Sequence, residues 1–391
     1  MYQYTNCIIC HKKGNIKCEF CEHPSYLCSK EHLFLHNQQY HNTNKIQKQN
    51  ISEINNDIRK EIMIKMSNQE YSKSISLITN YLNILKNQNE YNQTNDQIII
   101  ELLYTLAECY LNLSNLEESK NTLNEIIILT EEINTKTNNN NISYNNNLQK
   151  IIFRQKANML LGSISLNLGE YNNSLKAYFS CENDLYKICK EPELNVKLSA
   201  VYLNIGLSYI YLGNKNIAEK YLKKALSQTE GILGNDIIHK LNADIFENLG
   251  VVYELMNRYK DSLIFYKKGL KLKFNLYGEA HDEVLELQYK ISESYLSLKQ
   301  FEQAEEILGS IVELILKQKI NNANQETIYR YATYFYTYGV VLLKLNRLNN
   351  AKIYFNKVLE IINGFLLPND PWIINTNDLI KICDSKKIKK L

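Results

Sequence analysis

The sequence predicts an all-α chain, an array of about seven long helix pairs with a small metal-bound finger in front of it. Three observations carry this. Of 391 residues only 13 are Gly and 4 are Pro, the residues that break helices and punctuate turns, and an all-β chain of this length needs many more. Small residues recur at intervals of 42 to 55 residues, each followed by large apolar residues at helical spacing. Five of the nine Cys crowd into positions 7 to 28, in pairs spaced for a tetrahedral ion.

The low Gly and Pro content sets the class, and 45% hydrophobic residues are enough to bury a core. The net charge of +3, from 45 basic and 42 acidic side chains, gives no wide field for steering towards nucleic acid or an anionic membrane. Lys386, Lys387, Lys389 and Lys390 form the one basic cluster and read as a solvated end. Residues 1–10 lack the apolar stretch of a secretory signal, and no run of eighteen apolar residues occurs. The expectation is a soluble intracellular chain in a reducing compartment, where clustered Cys serve metal better than disulfides. No small-molecule substrate is expected.

The finger occupies residues 1–45. Its candidate ligands are Cys7, Cys10, Cys18, Cys21, Cys28, His32, His36 and His41. Each C-x2-C pair fits a tight turn that points two thiolates at one ion. Cys28, His32 and His36 stand four apart and share one face if that stretch is helical. Eight such ligands in 35 residues suit two closed, structural Zn²⁺ sites. His11 and His23, beside Cys10 and Cys21, read as solvated side chains. A 45-residue segment has little core, so metal is expected to supply most of its stability.

Tyr26-Leu27-Cys28-Ser29-Lys30-Glu31-His32 resembles the Tyr-Cys-Ser-x-x-Cys step of MYND and HIT zinc fingers, with His in place of the last Cys. Ligands interleave in those families. The resemblance therefore implies one ion on Cys7, Cys10, Cys28 and His32, and the other on Cys18, Cys21, His36 and His41.

The array is expected over residues 52–365, with residues 366–391 as a C-terminal tail. Aligned on the small residue of the first helix, the units centre on Ile62, Ala107, Gly162, Gly206, Gly250, Ser292 and Gly339. A small residue lets two antiparallel helices approach, the small residue twelve later receives the facing helix, and apolar residues four and seven further on fill the gap. These glycines are packing residues, for none belongs to a G-x-G-x-x-G or G-K-[ST] string. The Asn-rich stretch around residues 134–149 reads as an exposed loop. His281, in Gly278-Glu279-Ala280-His281-Asp282, is expected to begin a helix.

The pattern Leu249-Gly250, Tyr253, Tyr259, Ser262, Tyr266, Gly269 and its counterparts resemble tetratricopeptide repeats, in long units similar to those of kinesin light chain. The resemblance covers about four fifths of the chain and implies a helical superhelix whose concave face binds other proteins. Chaperone-binding members clamp a carboxylate there with Lys and Asn. The matching positions here are Tyr104 and Glu108, Leu203 and Leu207, Glu247 and Val251, Tyr289 and Glu293. That lining suits a helix or extended segment carrying basic and apolar residues instead, the alternative being that these side chains merely face water.

No catalytic set stands out, and a non-enzymatic scaffold is expected. A MYND finger beside helical repeats is also similar to the SET-domain methyltransferases, but the finger runs almost directly into helices and leaves no room for a β-rich catalytic domain. Finger-then-repeat order resembles the MYND-finger tetratricopeptide accessory proteins of inner-arm dyneins in motile cilia. The resemblance implies an axonemal location in the cytoskeleton, with dynein and a second tetratricopeptide protein as partners. The alternative is a nuclear or cytosolic co-regulator.

Overall fold

The computed structural model describes residues 16–17, 26–27, 47–86, 93–136, 144–190, 193–229, 236–317, 325–364 and 366–388. Among these are fifteen helices and one two-stranded ladder. The eight candidate zinc ligands lie outside the described residues, as do Lys389 and Lys390.

The chain divides into two units, residues 1–161 and 162–391, with the boundary inside the fifth helix. In the first unit, β1 (Ile16–Lys17) pairs antiparallel with β2 (Tyr26–Leu27), Ile16 opposite Leu27 and Lys17 opposite Tyr26. Helices α1 (Gln47–Ser67) and α2 (Tyr71–Lys86) form one hairpin, and α3 (Gln93–Asn112) and α4 (Leu116–Lys136) the next. Helix α5 (Tyr144–Asn167) begins in this unit. The described core of the first unit comes from α1 to α5, with Ile62, Ile78, Leu103, Ala107, Leu123 and Ala157 all buried. Arg59 pairs with Glu101, and Lys86 with Glu125 at 2.5 Å.

The second unit holds the end of α5 with α6 (Tyr171–Ile188), then α7 (Glu193–Tyr211) with α8 (Lys215–Thr229), and α9 (Asp236–Leu255) with α10 (Tyr259–Tyr277). It continues with α11 (Asp282–Ser297) and α12 (Phe301–Lys317), and α13 (Gln325–Lys344) and α14 (Leu348–Ile362). Within the stretch expected as a tail, Pro371–Ile388 form α15, which packs on α14. Its Ile373, Thr376 and Cys383 are buried, so this stretch closes an apolar surface.

Seven turns join the paired helices, and all are built alike. A residue of positive φ stands at Gln69, Ser114, Gly169, Gly213, Asn257, Lys299 and Asn346, always seven beyond the small residue that set the register. The next N–H in each case donates to a carbonyl five residues back, as from Asn214 to Tyr209 at 2.9 Å and from Arg258 to Tyr253 at 2.8 Å. This is the Schellman closure, which satisfies the last carbonyls of the first helix.

The residue sixteen beyond each small one is wholly buried: Ile78, Leu123, Tyr178, Leu222, Tyr266, Leu308 and Phe355. Bulk is complementary across the contact. A Cβ added at Gly162 would stand 2.6 Å from the Tyr178 ring, at Gly206 2.8 Å from Leu222, and at Gly339 2.7 Å from Phe355, while at Gly250 it would collide with the Tyr266 ring. Where the first residue is Ala107 or Ser292, a Leu faces it. The position twelve beyond is Ser or Ala throughout and has no exposure. Two of these serines also meet a serine of the following helix, Ser174 with Ser208 at 3.0 Å and Ser262 with Ser294 at 3.4 Å.

His281 caps α11, its Nδ1 accepting from the Glu283 N–H at 3.3 Å. Of the stretch expected as an Asn-rich loop, 134–149, residues 134–136 belong to α4 and 144–149 to α5, while 137–143 lie outside the described residues. The cost of Asn in a helix, roughly 0.7 kcal/mol per residue, is small beside the apolar contacts α5 makes further along.

Candidate functional site

The side chains three before and one after each small residue are four apart and so lie on one face of the first helix of their pair. In the first unit this places Tyr104 and Glu108 on α3. The Phe153 ring of α5 meets Tyr104 edge-on at 6.2 Å, and Lys156 Nζ lies 5.9 Å from the Tyr104 centroid and 5.4 Å from that of Phe153. Burial pushes the Glu108 carboxyl above its usual range, against hydrogen bonding from Tyr104 and the charge of Lys156. Burial, with the Glu108 charge, raises the Tyr104 phenol to about 12. This patch carries its own cation.

In the second unit the same two positions give Leu203 and Leu207 on α7, Glu247 and Val251 on α9, and Tyr289 and Glu293 on α11. These helices are neighbours: α7 touches α9, Glu247 of α9 reaches Lys290 of α11 at 2.5 Å, and the Tyr289 hydroxyl of α11 meets Thr337 Oγ1 of α13 at 3.1 Å. Leu203 is buried, whereas Leu207, Val251, Tyr289 and Glu293 keep partial access to solvent.

Glu247 is engaged by the fold itself. One carboxylate oxygen accepts from Lys273 at 2.6 Å and the other from Lys290 at 2.5 Å. Lys273 also meets Glu283 at 3.0 Å and Asp244 at 3.9 Å, and Lys290 meets Glu286 at 3.5 Å. Burial alone would raise Glu247, but Lys290 and Lys273 more than offset it and hold the carboxyl below its usual range. Burial opposes the charge on Lys273, yet Glu247 and Glu283 carry it up to about 12. Lys273 is only 7% exposed, so this is a brace across α9, α10 and α11. Among the described residues no group of His, Cys, Asp and Glu is placed to hold a metal ion.

At Glu254, about two turns beyond Glu247, and at Glu293 on α11, the face is different. Glu254 accepts from the Tyr266 hydroxyl at 2.6 Å. Burial lifts the Glu293 carboxyl above its usual range, opposed by hydrogen bonding from Tyr289, raised further by the Glu254 charge and lowered by Lys290. Among the described residues no Lys or Arg pairs with either at ion-pair distance. Tyr211 and Leu255, each five beyond the small residue of its pair, are 59% and 41% exposed. Glu254, Lys273 and Lys290 were not expected from the sequence. Glu254 was readable, since it lies seven beyond Glu247 on the same helical face. Lys273 was not, because it crosses from a second helix with no periodic signal.

Four segments match the tetratricopeptide repeat model, residues 100–130, 199–230, 243–276 and 332–364. They correspond to the hairpins α3–α4, α7–α8, α9–α10 and α13–α14, so the chain contains tetratricopeptide repeats. The crystal structure of the apo form of RapI aligns with 86% of this chain and 87% of its own at a TM-score of 0.57 and 16% identity. BtubC (BKLC) from P. vanneervenii aligns with 65% of this chain and 94% of its own at a TM-score of 0.51 and 14% identity. Both likenesses are of fold alone. In sequence, the chain is 26% identical over 179 residues to the clustered mitochondria protein homolog of Candida albicans (strain SC5314), a stretch that is 46% of this chain and 12% of that protein. The repeat fold is that of an interaction scaffold. Among the described residues, no helix is long and apolar enough to cross a membrane.

Proposed function

We propose that this chain is a non-enzymatic scaffold that binds other proteins through the first-helix face of its repeats, with the N-terminal finger as a structural two-zinc module. The observation that carries the reading is the exposure of apolar side chains on that face, Tyr211 and Leu255, beside polar groups that the neighbouring helices leave accessible. In a repeat array such a face is the natural binding surface. Purification of the tagged full chain from native cells tests it. A stoichiometric partner that survives moderate salt is expected, and its absence counts against the scaffold.

For the finger, the spacing of Cys7, Cys10, Cys18, Cys21, Cys28, His32, His36 and His41 supports two ions.

The finer reading is an accessory subunit on inner-arm dyneins of the axoneme, and it rests on domain order and repeat length, an analogy of architecture. Detergent and then high-salt extraction of cilia tests it. The chain should remain with the axoneme and leave with the dyneins, whereas a signal confined to nucleus or cytosol favours the co-regulator. The relative named for clustered mitochondria supports keeping that second reading in view.

A further inference from the structure

We propose that this chain pairs with a second copy of itself through two neighbouring second helices, α10 of each copy lying antiparallel on α12 of the other. The pairing is independent of the first-helix face and leaves that face free.

The charge of the chain is unevenly placed. Helix α10 carries five Lys against one Asp, and α12 four Glu against one Lys, in a chain whose total is +3. Both helices belong to the second unit, where Ile307 of α12 packs against the cluster that contains Leu263 and Tyr266 of α10. A basic strip and an acidic strip therefore stand side by side. On other helices a surface lysine meets a carboxylate one turn away, as Lys197 meets Glu193 and Lys223 meets Glu219, each at 2.7 Å. Lys260, Lys267 and Lys271 of α10 are exposed and, among the described residues, none has an acidic partner. Glu302 and Glu306 of α12 are exposed and, among the described residues, have no basic one. Lys267 with Lys271, and Glu302 with Glu306, are like charges four apart, an arrangement that weakens each helix on its own.

Register decides the occupant. Lys260, Lys267 and Lys271 stand seven and then four residues apart on one face of α10. Glu302, Glu306 and Glu313 stand four and then seven apart on one face of α12, with Glu313 also meeting Lys317 at 2.7 Å. The order is reversed, so the two sets match in full when the helices run in opposite directions. Lys260 then faces Glu313, Lys267 faces Glu306 and Lys271 faces Glu302, at successive steps of about 10 Å and about 6 Å along the axis. In the same alignment Ile264, 52% exposed, falls opposite Gly309, which has no side chain to obstruct it. Within one chain α10 and α12 each pack on α11 and run in the same direction, so the matching strip belongs to a second copy. A two-fold axis between the strips forms both contacts at once and closes the assembly at two chains. A nucleic acid or an anionic lipid surface suits α10 but meets repulsion from α12. Exposed ion pairs are individually weak and are screened by salt, so the dimer is salt-sensitive.

The test is sedimentation velocity of the full zinc-loaded chain over a dilution series, at about 0.1 M and about 1 M salt, between which the screening length falls from about 10 Å to about 3 Å. A species of twice the 45.8 kDa chain mass is expected at the lower salt, and a monomer at the higher. Lys267→Glu with Lys271→Glu should be monomeric at both, as should Glu302→Lys with Glu306→Lys. Mixed in equal amounts, these two variants should recover the dimer, because each reversed strip again meets its opposite. Lys220→Glu, which removes an exposed lysine of α8, should leave the dimer as it is. Zero-length carbodiimide cross-linking of the unaltered chain supplies a readout that needs no variant, joining Lys260 to Glu313 and Lys271 to Glu302 in the dimer alone. A monomer at the lower salt, a dimer that persists in either reversed variant, a mixture that stays monomeric, a dimer lost equally in Lys220→Glu, or a dimer without these cross-links each overturns the proposal. None of these outcomes bears on co-purification of another protein, so the scaffold reading is judged separately.

Discussion

Gly250 and Gly213 are both glycines in the second unit, and they are there for different reasons. At Gly250 the Tyr266 ring fills the place of a side chain, and that ring cannot swing away because it is buried and its hydroxyl is tied to Glu254. Gly250→Val is therefore expected to cost roughly 1–3 kcal/mol or more in denaturant unfolding. Gly213 has φ +76 and nothing within 4 Å of an added Cβ, so Gly213→Ala should cost only the backbone term, about 1 kcal/mol. Equal effects at the two sites would mean that the helix contact at Gly250 is looser than described. The lysine brace gives a second expectation. Lys273→Met leaves Glu247, Glu283 and Asp244 facing one another and should cost about 3 kcal/mol at neutral pH. The sign with pH follows from the two shifts. Glu247, held below its ordinary 4.5, contributes stability that is present above that value and lost as pH falls through its folded value. Lys273, raised from 10.5 to about 12, contributes stability that is present below 10.5 and lost as pH rises through about 12. The penalty of Lys273→Met should thus stay level between these limits and shrink outside them, as urea titrations across pH can measure.

At the scale of the helix pair, the register was open to the sequence and the turn chemistry was not. Alignment on Ile62, Ala107, Gly162, Gly206, Gly250, Ser292 and Gly339 recovers the spacing of the seven turns, because close helix approach demands a small residue or a matched facing one at each. Gln69, Ser114, Asn257, Lys299 and Asn346 occupy positive φ without being Gly, so a search for glycine alone finds only two of the seven closures. Lys299, at φ 57, should gain from Lys299→Gly. Relief of left-handed strain of about 1–2 kcal/mol, less the extra chain entropy of Gly, leaves roughly 0.5–1 kcal/mol in thermal unfolding. Helix α15 was equally hidden, since Pro371 and the lysines at its far end read as a tail, and only its contacts with α14 reveal the buried Ile373, Thr376 and Cys383. For the candidate face, the helical period located Tyr289 and Glu293. What the period could not convey is which carboxylates a lysine from the second helix would reach, and this separates Glu247 from Glu254.

At the scale of the whole molecule, the chain joins a segment too small to fold on apolar burial alone to repeats that bury their own core. Metal analysis of the purified chain is expected to give about two equivalents of zinc. Cys18→Ser should unfold the finger while leaving the circular dichroism of the fifteen helices nearly unchanged, and a loss of helical signal in step with zinc would mean that the repeats depend on the metal. The nearly balanced charge, 45 basic against 42 acidic side chains, leaves partner choice to local arrangement on the first helices rather than to a global field. If the scaffold reading holds, those first helices carry the contact. The most direct measurement is hydroxyl-radical footprinting of the full chain alone and in the complex purified from native cells. Protection is predicted at Tyr211 and Leu255 on the first helices, with Ile264, Phe274 and Ile353, exposed at 52%, 45% and 61% on second helices, reacting as before. Protection confined to Ile264, Phe274 and Ile353, with Tyr211 and Leu255 still reactive, would place the contact on the second helices instead.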